Sequence, residues 1–272
     1  MNPPLKLVGN SERADGRSCD QLRPIRVTYD AFGYASGSVL FEIGNTKVLC
    51  AISLNVGVPP FLKGKRTGWL TAEYAMLPTS TVTRTQREAI TQKRSGRGTE
   101  ISRLIGRALR AVTNLDILGE RTITIDCDVL QADGGTRTAA ISGAYLALKE
   151  AETRWLAAKI IHEPCVLGDI AAISVGVVDG IPMVDLDCAE DNRAEGDFNF
   201  VLTSEGNIIE IQGAVEHGNA IPWSNFDTIR NLAVNGVKTL FDSLPPMPIH
   251  KSVVQSDRVP LFSLKNRLEK LS

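Results

Sequence analysis

The chain has 272 residues, 43% of them hydrophobic and 22% charged, with a formal net charge of −1. This length can bury a sizeable core as one large domain or two small ones. No apolar run approaches the roughly 18 residues of a membrane-spanning helix, and residues 1–16 lack the apolar stretch of a signal peptide, so we expect a cytoplasmic protein. The five cysteines form no CxxC pair and fit no zinc spacing, which predicts reduced and buried thiols.

Alternating apolar residues predict the first strands, at residues 25–28, 38–43, 46–52 and 69–76. Gly44-Asn45 lies between the second and third and is a hairpin signal. Residues 78–98 are rich in Thr, Arg, Gln and Gly with little apolar periodicity. They predict a long exposed loop, and long ordered loops are often functional.

A helix is predicted over residues 99–113, because apolar residues recur there at helical spacing and form one stripe. Residues 121–130 follow as a strand, with Ile123, Ile125, Cys127 and Val129 on one face. Gly134-Gly135 interrupts this strand, and a second helix is predicted over about residues 136–155.

The second half repeats this order, with strand hairpins around Asp179-Gly180 and Glu205-Gly206 and a helix over about residues 225–243. The pattern predicts an α+β fold with mixed sheets and helices packed against them. We divide the chain into a polar N-terminal extension (1–14), one main domain (15–244) and a Pro-rich C-terminal tail (245–272). Regularly spaced leucines in the tail indicate either a short docking helix or a disordered segment.

The turn from the strand ending near Gln131 into the second helix is a candidate anion site. Glycines at 134 and 135 let backbone N–H groups approach a ligand, and a helix N-terminus offers unpaired donors and partial positive charge. Thr136 adds a hydroxyl, and the planar Arg137 side chain matches phosphate oxygens. The alternative is an ordinary turn in which Asp133 or Thr136 caps the helix.

Charge is distributed unevenly. Residues 63–110 hold 11 Lys/Arg and 3 Asp/Glu, whereas residues 185–216 hold 9 Asp/Glu and 1 Arg. This separation indicates either one region for an anion and another for a cation, or two solvated faces that neutralise each other by packing. Eight of these 11 basic residues lie in the 78–98 loop and on the polar face of the following helix, where they suit a nucleic-acid backbone. They are Arg84, Arg87, Lys93, Arg94, Arg97, Arg103, Arg107 and Arg110.

Six carboxylates fall within residues 185–197, at Asp185, Asp187, Glu190, Asp191, Glu195 and Asp197. Oxygen ligands at this density suit Mg²⁺, and a carboxylate can also act as a general acid. The alternative is an acidic surface turn. A phosphate turn, many arginines and a carboxylate cluster together are what phosphoryl transfer on RNA requires.

These segments resemble the ribonuclease PH family over about residues 14–243. The string at residues 127–137 (CDVLQADGGTR) is highly specific, and further matches occur at residues 37–50, 57–59, 61–64, 68–74, 100–111, 190–191, 197–199 and 208–213. The resemblance implies a ribosomal-protein-S5-domain-2-like β-α fold and a homo-hexameric ring built as a trimer of dimers. It implies a phosphorolytic exoribonuclease that trims precursor tRNA 3′ ends and releases nucleoside diphosphates.

The resemblance also implies roles for individual residues. Arg97, Gly135, Thr136 and Arg137 would bind the attacking inorganic phosphate. Asp191, Asp197 and Arg97 would be catalytic. The two aspartates would also hold Mg²⁺. Arg84, Arg87, Arg94 and Arg103 would contact RNA.

The sequence departs from the family pattern at Thr79, where an arginine is common, so one RNA contact is expected to be lost or moved. Asn192 and Phe198 replace a common Ser and Met beside the two catalytic aspartates. Two rival functions stay open at this point: a non-catalytic RNA-binding ring subunit of an exosome-like assembly, and a small-molecule kinase on a related fold.

Overall fold

A computed structural model describes residues 13–87, 95–215 and 220–248. The first sheet has five strands in the order β1-β2-β3-β5-β4, with β4 parallel to β5 and the other pairs antiparallel. Its strands are β1 (Ile25–Tyr29), β2 (Gly37–Ile43), β3 (Thr46–Val56), β4 (Trp69–Met76) and β5 (Arg121–Gln131).

The second sheet has four strands in the order β7-β6-β8-β9, all antiparallel. They are β6 (Ile170–Val178), β7 (Ile181–Val184), β8 (Gly196–Thr203) and β9 (Ile208–Val215). The described residues also form the helices α1 (Gly96–Arg110), α2 (Thr136–Ala157), α3 (Cys188–Asp191) and α4 (Trp223–Asp242). The fold is therefore α+β as predicted, with mixed strand directions confined to the first sheet.

Helix α2 joins the two sheets, because it contacts β2, β3 and β5 of the first sheet and β6 and β8 of the second. It is apolar on most of its circumference, as expected of a helix buried inside a protein. One continuous core runs through both halves and includes the fully buried Phe41, Ile125 and Phe200. This shared core fixes the ends of α2 relative to both sheets.

Most predicted elements are confirmed, and the main difference concerns α1. It begins at Gly96 and not at Thr99, because the Ser95 hydroxyl accepts a hydrogen bond from the Gly98 backbone N–H at 2.9 Å and caps the helix. It ends at Arg110, three residues before the predicted end. The predicted tail helix lies outside the described residues.

All five cysteines are free thiols, but only Cys50, Cys127 and Cys165 are buried. The prediction of buried thiols is wrong for Cys188, which is exposed because it opens α3 at the surface, and Cys19 is half-buried. Cys50 and Cys127 face each other on β3 and β5. The hydrogen bond with the Cys50 thiol, and then burial, raise the pKa of Cys127, which favours the neutral thiol.

Candidate active site

A cleft of ≈ 320 Å³ is lined by both halves of the chain. From the first half come the starts of α1 and α2, and from the second come β6, β8 and the region around α3. The lining residues are Arg97, Gly135, Thr136, Arg137, Ser174, Leu186, Asp191, Asn192, Asp197 and Asn199. The structure therefore brings the predicted phosphate turn and the predicted aspartate pair to one place.

The turn between β5 and α2 opens a helix N-terminus toward the cleft. Gly134 and Gly135 both have positive φ, at 75° and 65°, which side-chain-bearing residues rarely adopt. A Cβ on Gly134 would lie 2.4 Å from the Leu186 carbonyl oxygen, so only glycine fits against the acidic segment. Gly135 is the N-cap of α2, and no side chain in the described part of the chain caps this helix, so the alternative with Asp133 or Thr136 as cap is wrong. The first N–H groups of α2 are thus available to an anion.

Tyr74 on β4 supports the hydroxyl of Thr136. Its phenol oxygen donates a hydrogen bond to Thr136 Oγ1 at 3.0 Å, and both residues are buried. Burial raises the pKa of Tyr74, so this hydroxyl keeps its proton. Thr136 Oγ1 accepts this hydrogen bond, so its own hydroxyl proton can be donated to another acceptor. Sequence reasoning assigned no role to Tyr74, whose strand position gives no hint of this contact.

Two arginines provide positive charge at the cleft. Arg137 lies in the first turn of α2, with its side chain 19% exposed, and donates to Gln212 Oε1 at 3.3 Å. Its Nη1 also lies 3.9 Å from Glu100 Oε1. Arg97, in the first turn of α1, is exposed. Two guanidinium groups beside a helix N-terminus favour a multiply charged oxyanion.

The two predicted catalytic aspartates also reach this cleft. Asp191 ends α3, and Asp197 is the second residue of β8. The Asn199 amide donates to Asp197 Oδ2 at 2.9 Å, which fixes the orientation of that carboxylate. Asn199 was not assigned to the site from sequence. It lies two residues after Asp197 on β8, and residues two apart in a strand lie on the same face of the sheet.

The acidic segment at residues 185–197 does not act as one cluster. Asp185 and Glu190 are buried and paired with arginines from the N-terminal segment. Arg13 binds both oxygens of Glu190, through Nε at 2.7 Å and through Nη2. Arg23 binds both oxygens of Asp185, at 3.0 and 2.7 Å. These two carboxylates neutralise buried arginines, so they are not available to a cation.

Arg23 links the acidic segment to the phosphate turn. Besides Asp185, its guanidinium donates to the backbone carbonyls of Asp133 and of Gly134, the latter at 3.4 Å. Burial would lower the pKa of Arg23, but the carboxylate of Asp185 outweighs it and the pKa is raised. The side chain is thus a permanently charged brace between the two segments that form the cleft.

Three of the four predicted RNA-contacting residues are described, and none of these three is among the residues that line the cleft. Arg84 and Arg87 are exposed in the loop after β4, and Arg103 is exposed on α1. Arg94 lies outside the described residues. Arg107, on the same face of α1, pairs with Glu210 of β9 at 2.6 Å. The basic and acidic regions therefore partly neutralise each other by packing, one of the two alternatives left open by the charge pattern.

Two negative findings apply to the described part of the chain. No helix there is long and apolar enough to span a membrane. No group of three or more His, Cys, Asp or Glu side chains there is arranged to hold a metal ion. A cation at the cleft would accordingly have at most two carboxylate ligands from these residues.

Comparison with known sequences matches the two domains of one family in succession. The profile "3' exoribonuclease family, domain 1" matches residues 21–153, and "3' exoribonuclease family, domain 2" matches residues 169–235. Ribonuclease PH of Mycobacterium sp. (strain KMS) is 53% identical over 232 residues, which cover 85% of this chain and 89% of that protein. Ribonuclease PH of Syntrophomonas wolfei is 50% identical over 229 residues, 84% of this chain and 95% of that protein.

Two solved structures share the fold at low sequence identity. The exosome of Archaeoglobus fulgidus with RNA bound to the active site has a TM-score of 0.72 at 18% identity, covering 86% of this chain and 92% of that chain. Rrp46 of rice (Oryza sativa) has a TM-score of 0.68 at 19% identity, covering 85% and 97%. At these identities the likeness concerns the fold.

Proposed function

The chain belongs to the ribonuclease PH family of 3′ exoribonucleases, and we propose that it shortens RNA from the 3′ end with inorganic phosphate, releasing nucleoside diphosphates. One observation carries this proposal for the chain itself: Thr136 and Arg137 line the same cleft as Asp191 and Asp197. An oxyanion site and a carboxylate pair that share one cleft can act on the same phosphodiester bond.

The reaction follows from this arrangement. Arg97, Thr136, Arg137 and the α2 N-terminus hold inorganic phosphate in line with the last phosphodiester bond of the RNA. A phosphate oxygen forms a bond to the phosphorus, and the bond from phosphorus to the 3′-oxygen of the preceding nucleotide breaks. That oxygen takes up a proton, for which Asp191 and Asp197 are the candidate donors. One phosphorus–oxygen bond replaces another, so nucleotide addition is the reverse reaction.

Asp191 and Asp197 fit a magnesium ion. They supply hard carboxylate oxygens at one cleft, and Mg²⁺ is commonly held by one or two carboxylates while it keeps several waters. The Asn199 amide donates to Asp197 Oδ2 at 2.9 Å and holds that carboxylate at the cleft. When bound, the ion would neutralise charge that develops on the phosphoryl oxygens and the leaving oxygen.

The natural substrate we propose is precursor tRNA with a 3′ extension, and the catalytic unit is a homo-hexameric ring in the cytoplasm. The names of the relatives support RNA as substrate, and exosome structures with the same fold support ring assembly. Arg84, Arg87, Arg94 and Arg103 would contact the RNA backbone. Light scattering should give a mass about six times the 29.5 kDa of one chain, and a mass near one chain would contradict the ring.

Phosphate dependence tests the proposed reaction most directly. Precursor tRNA with a labelled 3′ extension is incubated with the protein and Mg²⁺, with and without inorganic phosphate. We expect nucleoside diphosphates to be released only when phosphate is present. Full activity without phosphate, with nucleoside monophosphates as products, would show hydrolysis instead.

Asp197→Asn separates an enzyme from a non-catalytic ring subunit. Asn keeps the shape of the side chain but removes its charge, so an enzyme should lose turnover and keep RNA binding in a filter or anisotropy assay. If the wild-type chain has no phosphate-dependent turnover and Asp197→Asn changes nothing, the scaffold function would be supported.

A further inference from the structure

Ser174 is a polar residue in an otherwise apolar strand. It is the only residue with a polar side chain in β6 (IAAISVGVV), and the whole strand is buried. The residue is 4% exposed, and its Oγ has no hydrogen-bond partner among the described residues. A buried hydroxyl without a partner destabilises a fold, so a hydroxyl at this position calls for a partner from outside the chain.

The position of Ser174 indicates where that partner would lie. Ser174 lines the cleft, and an ideal Cβ on Gly135 would be 4.0 Å from its Oγ. On the neighbouring strand its Cα partner is Asn199, and directly paired residues point to the same face of a sheet. The hydroxyl thus lies between the start of α2 and the amide that orients Asp197.

Two polar groups on this side of the cleft already have partners. Thr138 Oγ1 donates to the Gly135 carbonyl at 2.8 Å, and the Asn199 amide donates to Asp197 at 2.9 Å. The backbone carbonyl of Ser174 accepts from the Asp185 N–H at 2.8 Å, which fixes the strand beside the acidic segment. The Ser174 hydroxyl is left to a ligand in the cleft, and rotation between staggered side-chain positions can present it there.

We propose that Ser174 is a further phosphate-binding residue, which donates a hydrogen bond from the second half of the chain to the inorganic phosphate held by Thr136 and Arg137. This inference rests on the proposed function. Its consequence is that phosphate is held from both halves of the cleft, by α2 on one side and β6 on the other. The anion is then positioned relative to β8, which carries Asp197.

Ser174→Ala should separate binding from stability. The KM for inorganic phosphate should rise at least roughly 10-fold, as expected for the loss of a hydrogen bond to a charged ligand. The KM for RNA, and kcat at saturating phosphate, should stay within about threefold of wild type. Without phosphate the variant should unfold at the same temperature as wild type or a higher one, because an unpaired buried hydroxyl has been removed.

Ser142→Ala is the matched control. Ser142 lies on α2, is also buried, and its Oγ accepts from the Ala172 backbone N–H at 3.0 Å and so serves the packing of α2 on β6. This variant should lose stability and keep its KM for phosphate. Phosphate should also raise the unfolding temperature of wild type and Ser142→Ala in the absence of RNA, and raise that of Ser174→Ala much less.

The two hypotheses fail in different ways. If wild-type activity does not depend on phosphate, the proposed function is wrong. If wild-type activity depends on phosphate but Ser174→Ala keeps the wild-type KM for phosphate and the same stabilisation by phosphate, the role of Ser174 is refuted. A higher KM accompanied by a lower unfolding temperature, as for a packing defect, would also refute it.

Discussion

Replacing Asp185 by Asn tests whether the buried arginine network holds the acidic segment in place. The Asp185 carboxylate accepts hydrogen bonds from the Arg23 backbone N–H at 2.7 Å, from Arg23 Nε at 3.0 Å and from Arg23 Nη2 at 2.7 Å. Arg17 Nη1 lies 3.4 Å from the same carboxylate. Asn keeps the shape but leaves two buried guanidinium groups without this counter-charge.

The magnitude follows from burial. The side chains of Asp185, Arg17 and Arg23 are 2%, 7% and 5% exposed, so water cannot replace the lost charge. Removing one partner of a buried ion pair costs about 3–5 kcal/mol. In a domain of this size about 1 kcal/mol lowers the melting temperature by about 2–4 °C, which predicts a decrease of roughly 6–20 °C.

Thermal unfolding at neutral pH measures this decrease, at one fixed protein concentration because assembly also changes the melting temperature. Asp227→Asn is the control, since Asp227 pairs with Arg230 at 3.1 Å on the surface of α4 and both side chains are more than half exposed. Such surface pairs contribute at most about 1 kcal/mol. If the two variants melt within about 2 °C of each other, the buried network does not have the stabilising role argued for it.

Three further predictions concern pH and the phosphate turn. Burial would raise the pKa of Glu190, but hydrogen bonds from Arg13 and the backbone lower this pKa below the usual 4.5. The ionised Glu190 therefore stabilises the fold above pH 4.5, and this stabilisation is lost as the pH falls through the lowered pKa. Below pH 4.5 the melting temperature of wild type should fall more steeply than that of Glu190→Gln. Tyr74→Phe should raise the KM for phosphate about 2–10-fold in initial-rate assays, because the hydroxyl of Thr136 loses its donor, and an unchanged KM would contradict that role. Gly134→Ala should lower both the melting temperature and phosphate affinity, because its Cβ would lie 2.4 Å from a backbone carbonyl and φ is 75°; a wild-type melting curve would refute the turn geometry.

Local sequence patterns predicted the elements in which apolar residues follow one regular spacing. The bounds predicted for β4 (Trp69–Met76) and β6 (Ile170–Val178) agree with the structure, because alternation or a continuous apolar run reports burial directly. The start of α1 was predicted three residues late, because Gly96 and Gly98 have a low helix propensity, although Ser95 caps the turn that contains them. Glycine residues in the first turn of a helix therefore predict a loop unless the capping contact is known.

The glycine-rich turn indicated Thr136 and Arg137 from local sequence, and the family resemblance added the pair Asp191 and Asp197. The structure places all four residues at one cleft. Their individual roles in catalysis stay predictions. Local reasoning on Asp185 and Glu190 was less successful, because both counted as members of a cation-holding cluster. Their arginine partners lie more than 160 residues away in sequence, and no periodicity reports such a contact.

The sequence by itself determined the strands, the helices, the glycine-rich turn and the family, because these depend on residue type and on spacing along a short stretch of chain. Only the tertiary structure decided which polar groups are neutralised and which remain for a ligand. Asp185 and Asp197 belong to one acidic segment. Asp185 is buried in ion pairs with Arg17 and Arg23, whereas Asp197 lines the cleft. Desolvation and pairing depend on distances between remote segments, and those distances are fixed only when both sheets pack on α2.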